Sequence, residues 1–238
     1  MGTARLFSKI LHREIDVHAA WVPVSNSFKI GDYGVISDGV LVKMGSINEY
    51  SVPFVTEAAP PIRLRFRSDG TRVRRFAGGA EIQAMPPADI DAKLVVEFDS
   101  ANSFYLDAHL TAEAIQNLAQ VGRELRKVPG WKRQYRVVHS IYTGQNCTLL
   151  SSRNANSKVE ISGKASALQQ LELGNANAGV TVSSEDSVGL EVAGETGVVG
   201  LRMFKLRLLG GGTRILGPGG QDDDPVEQES ADELDDDI

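Results

Sequence analysis

Apolar residues open the chain at helical spacing. Leu6, Phe7, Ile10 and Leu11 fall on one face of a segment running from Thr3 to about Val17. Arg5, Lys9 and Arg13, at i, i+4 and i+8, form a basic ridge beside that face. The helical period is then lost over residues 20–56. Trp21-Val22-Pro23-Val24, Gly34-Val35-Ile36 and Gly39-Val40-Leu41-Val42 are short strand-like runs between Gly, Asp, Asn and Ser. A strict alternation follows, with Ile62, Leu64 and Phe66 interleaved with Arg63, Arg65 and Arg67. Asp69-Gly70 reads as a two-residue hairpin turn before Arg72-Val73-Arg74-Arg75-Phe76. That hairpin would set Arg67 opposite Arg72 and Arg65 opposite Arg74. Like charges directly across a ladder repel, so an anion or water has to face them.

Further along, Ala92–Phe98 predicts a strand, and Thr111 to Lys127 predicts a helix. Thr111 is its expected N-cap, with Glu113 in the first turn. Ile115, Leu118, Ala119, Gly122 and Leu125 make its buried stripe. Arg123, Arg126 and Lys127 load its C-terminal end, and Pro129-Gly130 stops it. Strands are expected at Tyr135–Tyr142, Cys147–Ser152 and Lys158–Ser162, then a short helix at Ala165–Leu173. Gly179–Val182, Val188–Val192 and Val198–Leu208 are expected to close the body. The mixture predicts an α+β fold in which strands dominate.

Charge divides the chain more sharply than its net −6 suggests. Residues 222–238 hold ten of the 31 acidic residues and none of the 25 basic ones. The preceding residues therefore carry 21 acids against 25 bases, a formal +4. Gly210-Gly211-Gly212 and Gly217-Pro218-Gly219-Gly220 have linker composition. The expected organisation is a body over 1–209, a Gly-rich linker over 210–221 and an acidic, disordered tail over 222–238. No window approaches the 18 or so apolar residues of a spanning helix, and no signal-peptide pattern opens the chain. A single cysteine, Cys147, suits a reducing compartment. The expectation is a protein made soluble in the cytoplasm, with entry into a membrane as strands left open.

The residues that bear chemistry do not assemble into a catalytic pattern. His12, His18, His109 and His139 lack metal-ligand spacing with one another or with Cys147. Cys147, in a predicted strand, reads as a buried thiol rather than a nucleophile. No G-x-S-x-G, P-loop, H-E-x-x-H or dinucleotide fingerprint is present. A non-enzymatic protein without metal or cofactor is expected; an enzyme with an unfamiliar site is the third reading. A mildly basic body without a row of interleaved aromatics does not predict a nucleic-acid partner. The ridge of Arg5, Lys9 and Arg13 beside an apolar face suits a membrane interface. At about 1 kcal/mol per cation near an anionic leaflet, the three give roughly 3 kcal/mol, enough for reversible recruitment.

The order of elements resembles that of gasdermin pore-forming domains, including the compact bacterial ones. The basic helix from Arg5 leads to Trp21-Val22-Pro23-Val24 and then to Gly39-Val40-Leu41-Val42-Lys43-Met44-Gly45-Ser46-Ile47. Arg136-Val137-Val138-His139-Ser140-Ile141-Tyr142-Thr143 is similar to the strand entering the family's second hairpin. Val180-Thr181-Val182-Ser183-Ser184 through Val198-Val199-Gly200-Leu201-Arg202-Met203-Phe204-Lys205-Leu206 is similar to its closing strands. The likeness is of order and spacing over residues 3–208. It implies a twisted antiparallel sheet with helices packed around it. It also implies two regions, about 62–98 and 135–192, that rebuild into membrane hairpins and close a β-barrel as a homo-oligomer. Anionic lipids at the inner face of the cell membrane would be bound through Arg5, Lys9, Arg13, Arg63, Arg65, Arg67, Arg72 and Arg74. Programmed cell death or antiviral defence is the implied setting, with an activating protease or second protein as a further partner. Two departures stand out: no cysteine lies near the N-terminus for lipidation, and only the acidic tail could act as the C-terminal restraint. The alternative from a different class is a soluble interaction module that docks an acidic partner through its basic face.

Overall fold

The computed structural model describes residues 3–173, 179–184, 188–206 and 226–228. In chain order the elements are α1 Thr3–Ile15, β1 His18–Ala19, β2 Asp32–Ser37, β3 Val40–Ser46, a 3-10 turn Ile47–Tyr50, and β4 Thr56–Ala58. Then come β5 Ile62–Arg67, β6 Thr71–Ala77, β7 Ala80–Ile82, β8 Asp91–Phe98, β9 Phe104–Ile115, and α2 Leu118–Leu125. The chain continues through β10 Arg136–Ser152, β11 Ser157–Lys164, α3 Ala165–Leu173, β12 Thr181–Ser184, β13 Val188–Leu206 and β14 Val226–Gln228. The fold is mixed α+β with mostly antiparallel sheets. The expected linker over 210–221 and most of the acidic segment lie outside the described residues. Within that segment, Val226–Gln228 forms a strand.

The chain divides into two compact units. The first comprises Met1–Pro60, Ala112–Tyr142 and Val198–Ile238; the second comprises Pro61–Thr111 and Thr143–Gly197. Three of the four boundaries fall inside β9, β10 and β13, and the fourth, Pro60-Pro61, lies between β4 and β5.

In the first unit the strand order is β1-β13-β10-β2-β3, with β14 also paired to β13 and β4 paired to the end of β9. The β2–β3 hairpin turns at Asp38-Gly39, both with positive φ (50° and 76°), the backbone of a type I′ turn. Gly34 sits at a register shift in this hairpin. A Cβ there would lie 2.0 Å from the Val42 carbonyl oxygen, so the strand can pass only as glycine. Helix α1 buries Phe7, Ile10 and Leu11, as the spacing predicts. Its C-terminus is closed by Asp16 at φ 55° and by Arg202, whose guanidinium donates to the carbonyls of Ile15 and Asp16. One core joins Ile47, Val121, Leu125, Val137 and Phe204, and another joins Ala20, Leu41, Val138, Leu201 and Met203.

In the second unit the sheet order is β12-β11-β8-β6-β7, and β5 pairs separately with β9. Alternation gives the five-stranded sheet two unlike faces. Leu94, Val96 and Phe98 of β8 and Val159 and Ile161 of β11 face the core. Ala165, Leu168 and Leu171 of α3 pack into that same core, which is why an apolar period of 3–4 follows β11 directly. Each such fully buried large side chain contributes roughly 1.5–3 kcal/mol.

Several expectations are corrected. Strands occur at 62–67 and 71–77, but they do not form the expected hairpin. The turn at Asp69-Gly70 leads from β5, paired with β9, to β6, paired with β8. The helix expected from Thr111 starts only at Leu118. Thr111–Ile115 completes β9, where Thr56 pairs with Ile115 and Ala58 with Glu113. Asn117 precedes the helix without capping it, because its Oδ1 accepts from the Val55 amide. The strands expected separately at Tyr135–Tyr142 and Cys147–Ser152 are one, with Thr143-Gly144-Gln145-Asn146 in the middle of the 17-residue strand β10. Asn146 there takes φ 48°, and its amide donates to Thr196 Oγ1. The closing runs from Val188 join into one 19-residue strand, β13, and the last two expected positions, Arg207 and Leu208, lie outside the described residues. Trp21–Val24 is a bend, not a strand.

Candidate functional site

The residues expected to read an anionic surface are divided between the units. Arg5, Lys9 and Arg13 belong to the first; Arg63, Arg65, Arg67, Arg72 and Arg74 belong to the second. On α1, Lys9 and Arg13 are exposed, while Arg5 is half-buried with its aliphatic stem lying over the Gly39 turn. The apolar face beside them is already used in the unit's own core.

Four of the five strand arginines meet carboxylates of the protein's own chain. Asp107 lies across from Arg65 in the β5–β9 register and is largely buried. Arg63 grips it with two hydrogen bonds, Nε to Oδ1 at 3.2 Å and Nη2 to Oδ2 at 3.1 Å; Arg65 Nε adds a third at 2.9 Å. Arg63 also donates to the Glu172 carbonyl. Arg67 sits 6.0 Å over the Tyr105 ring. On β6, Arg72 pairs with Asp99 at 2.9 Å and Arg74 forks onto Glu81 at 3.0 and 2.7 Å. Arg74 also lies over Phe76 at 5.1 Å. Its hydrogen bond to Glu81 raises its own pKa and holds the Glu81 carboxyl below the ordinary range.

The same logic covers the outer face of the five-stranded sheet. Lys93 reaches Glu160 at 3.6 Å, and Lys164 reaches Asp91 at 2.8 Å. Hydrogen bonds from Lys164 and from Lys158 hold the Asp91 and Glu160 carboxyls below their usual pKa. One end of this face is an open cleft of about 810 Å³ lined by Phe76, Asp91, Lys93, Ser162, Lys164 and Thr181. Of its cations, Lys164 is held by Asp91, and Lys93 shares Glu160 with Lys158.

Sequence reading missed the acids that answer these arginines, and it missed Arg75. Arg75 points to the other face of β6 and pairs at 2.6 Å with Glu172 of α3, both side chains largely buried. Strand parity carried the signal for Arg75, since it breaks the alternation of Arg72 and Arg74. Its partner was not legible, because α3 is placed by tertiary packing.

Within the first unit a second surface emerges that the sequence reading took only as a helix end. After α2 the chain makes successive tight turns, with Lys127 N bonding to Glu124 O, Trp131 N to Val128 O and Tyr135 N to Lys132 O. Arg123, Arg126, Lys127, Lys132 and Arg133 are all exposed along this run. Trp131 packs into a cluster with Tyr33 (5.0 Å between ring centroids), Tyr135 (5.3 Å) and Tyr50 (5.8 Å). The hydroxyls of Tyr33 and Tyr50 share a hydrogen bond of 3.0 Å. That bond, then burial, pushes the Tyr33 phenol up to about 12.

No group of three or more His, Cys, Asp and Glu able to hold a metal occurs among the described residues. Cys147 is buried in β10; burial first, then the nearby Asp107 charge, pushes its thiol up to about 12, leaving it protonated and unreactive. No helix among the described residues is long and apolar enough to cross a membrane. No protein-family model matches the chain, and no curated protein matches it.

Proposed function

We propose that this chain is a membrane-permeabilising protein of the gasdermin kind, which binds anionic lipid, oligomerises and crosses the bilayer as β-hairpins. One observation carries the reading. The two segments whose element order resembles the family's membrane hairpins, about 62–98 and 135–192, fall almost entirely within one compact unit with its own core. Its strands have the composition a membrane barrel needs, apolar on one face and charged on the other. β10 and β13, at 17 and 19 residues, exceed the roughly 9–11 residues that span a hydrocarbon core. Conversion would move the apolar faces from the unit's core to lipid and leave the charged faces toward water.

The arginines of β5 and β6 enter this reading as internal ties. Their acids hold the soluble form together, and their release accompanies conversion. Restraint by the acidic segment is also part of the proposal. Val226–Gln228 pairs with Phe204–Leu206, which supports a restraint exercised through β13 rather than on the β5 and β6 arginines. Dye release from anionic and from neutral vesicles tests the function, with the full chain compared to a 1–217 truncation. Release only from anionic vesicles, faster for the truncation, is expected. Equal release by the two forms removes the restraint, and no release by either removes the permeabilising function.

A further inference from the structure

We infer that the basic turn following α2, from Arg123 to Arg133, is a docking surface for an anionic bilayer. The membrane as occupant rests on the function proposed above; the surface itself rests on geometry. Five cations stand exposed within eleven residues, and the one acid among them, Glu124, is held by Lys127 at 2.7 Å. The negative end of the α2 dipole accounts for cations at Arg123, Arg126 and Lys127. It does not account for Lys132 and Arg133, which lie beyond the helix on the far side of Pro129-Gly130. In the second unit the arginines of β5 and β6 are instead spread along strands.

The aromatic neighbours decide between classes of anionic partner. A nucleic-acid surface needs ring faces free for bases to stack on. Here Trp131 meets Tyr50 at 79° and Tyr135 at 85°, edge against face, so the rings are spent on one another. Tyr50 is nonetheless 40% exposed. A Trp and Tyr cluster with one exposed phenol, its Trp131 next in sequence to Lys132 and Arg133, is the chemistry favoured at the headgroup level of a bilayer. Each such cation contributes on the order of fivefold to binding an anionic leaflet.

The test uses the full chain and reads binding by vesicle flotation, separately from leakage. The probes are vesicles of equal parts phosphatidylglycerol and phosphatidylcholine, vesicles of phosphatidylcholine alone, and a single-stranded oligonucleotide. The variant Arg126→Glu/Lys132→Glu/Arg133→Glu is expected to lose at least about 100-fold in binding to the anionic vesicles. Lys132→Gln/Arg133→Gln, which leaves α2 untouched, is expected to lose about 25-fold and carries the test if the charge reversals unfold the chain. The matched variant Lys9→Glu/Arg13→Glu on α1 is expected to lose less. Unchanged binding by the glutamine variant overturns the inference, as does equal binding of the wild-type chain to neutral vesicles. Preference for the oligonucleotide over the anionic vesicles also overturns it. Binding without leakage leaves the surface standing and removes permeabilisation. Leakage that survives loss of these cations removes the surface and leaves permeabilisation in place.

Discussion

The two units distribute their charge differently. The second pairs its ions across strands: Arg63 and Arg65 on Asp107, Arg72 on Asp99, Arg74 on Glu81, and Arg75 on Glu172 within the interior. The first pairs ions too, Lys43 on the buried Asp32 at 2.7 Å and Lys127 on Glu124, but it also gathers five exposed cations on one surface turn, and it buries an imidazole, His139, whose nitrogens hydrogen-bond to no described residue. A count of arginines therefore measures charge and not availability. The chain's most arginine-rich stretch is the one least able to meet an external anion without first breaking internal bonds. Five experiments break or sharpen this contrast.

The largest effect is expected at the interior pair. Arg75 and Glu172 are only 15% and 13% exposed, so removing one partner strands the other charge in a low-dielectric setting. Arg75→Ala should cost about 4 kcal/mol in urea unfolding, and Arg75→Met/Glu172→Leu should recover much of that. A single-variant loss under about 1 kcal/mol would show that the pair is solvated and that the second unit does not bind its own charges as described. Asp107 comes next. Asp107→Ala leaves Arg63 and Arg65 facing each other with no anion between them, at an expected cost of about 3 kcal/mol. If Asp107→Ala instead melts with the wild type, the arginines are free, and the case for them as lipid readers returns.

Part of this was legible in the sequence. The helix over Ala165–Leu173 and the first helix follow from apolar spacing alone, and the alternation at 62–76 does mark two strands. Pairing was not legible. Asp69-Gly70 has the chemistry of a hairpin turn, yet register belongs to the partner strands, and β9 and β8 offered Asp107 and Glu97 where a hairpin offered only arginine. The long strands were cut short in reading because glycine and asparagine punctuate β10 and β13. Pairing on neighbouring strands overrides that local preference, at the cost of a left-handed Asn146. Spacing marks Arg123, Arg126 and Lys127 only as a helix end, because the aromatic cluster that joins Trp131 and Tyr135 to this turn draws Tyr33 and Tyr50 from a distant part of the chain.

Acid should separate the units. Burial, then the nearby Arg202 charge, pushes the His139 pKa from its ordinary 6.5 down to about 4. The unfolded chain takes up this proton near pH 6.5 and the folded unit only near 4. Stability from the neutral imidazole is therefore complete above 6.5, falls as pH drops, and is gone by 4, a change of about 3 kcal/mol. The second unit's lowered carboxyls, Glu81, Asp91 and Glu160, keep their contribution down to the ordinary carboxylate range and lose it only below. Hydrogen exchange at about pH 5 should thus speed up around β10 residues 136–142 before it does so in β8 and β11. His139→Leu should flatten the dependence between 6.5 and 4. An unchanged pH profile in that variant assigns the acid sensitivity elsewhere.

The smallest effect is expected where the charged pairs face water. Arg72 and Asp99 are 68% and 45% exposed, so their bond is screened by solvent and salt and holds two mobile side chains in one geometry. Arg72→Ala and Asp99→Ala should each cost less than about 0.5 kcal/mol, and the double variant should show coupling no larger. This near-zero result matters to the contrast as much as the large ones do. If pairing in the second unit served stability alone, exposed pairs of such small worth would have no reason to match nearly every arginine with an acid. They match because an unanswered row of guanidinium groups along β6 would repel itself and oppose the register with β8, where Arg72 lies across from Glu97 and Arg74 from Val95. Replacing Glu97 with Lys should then cost more than deleting Arg72, since it sets like charges directly opposite in that ladder; a charge reversal no worse than the deletion would leave the acids without a role in the pairing.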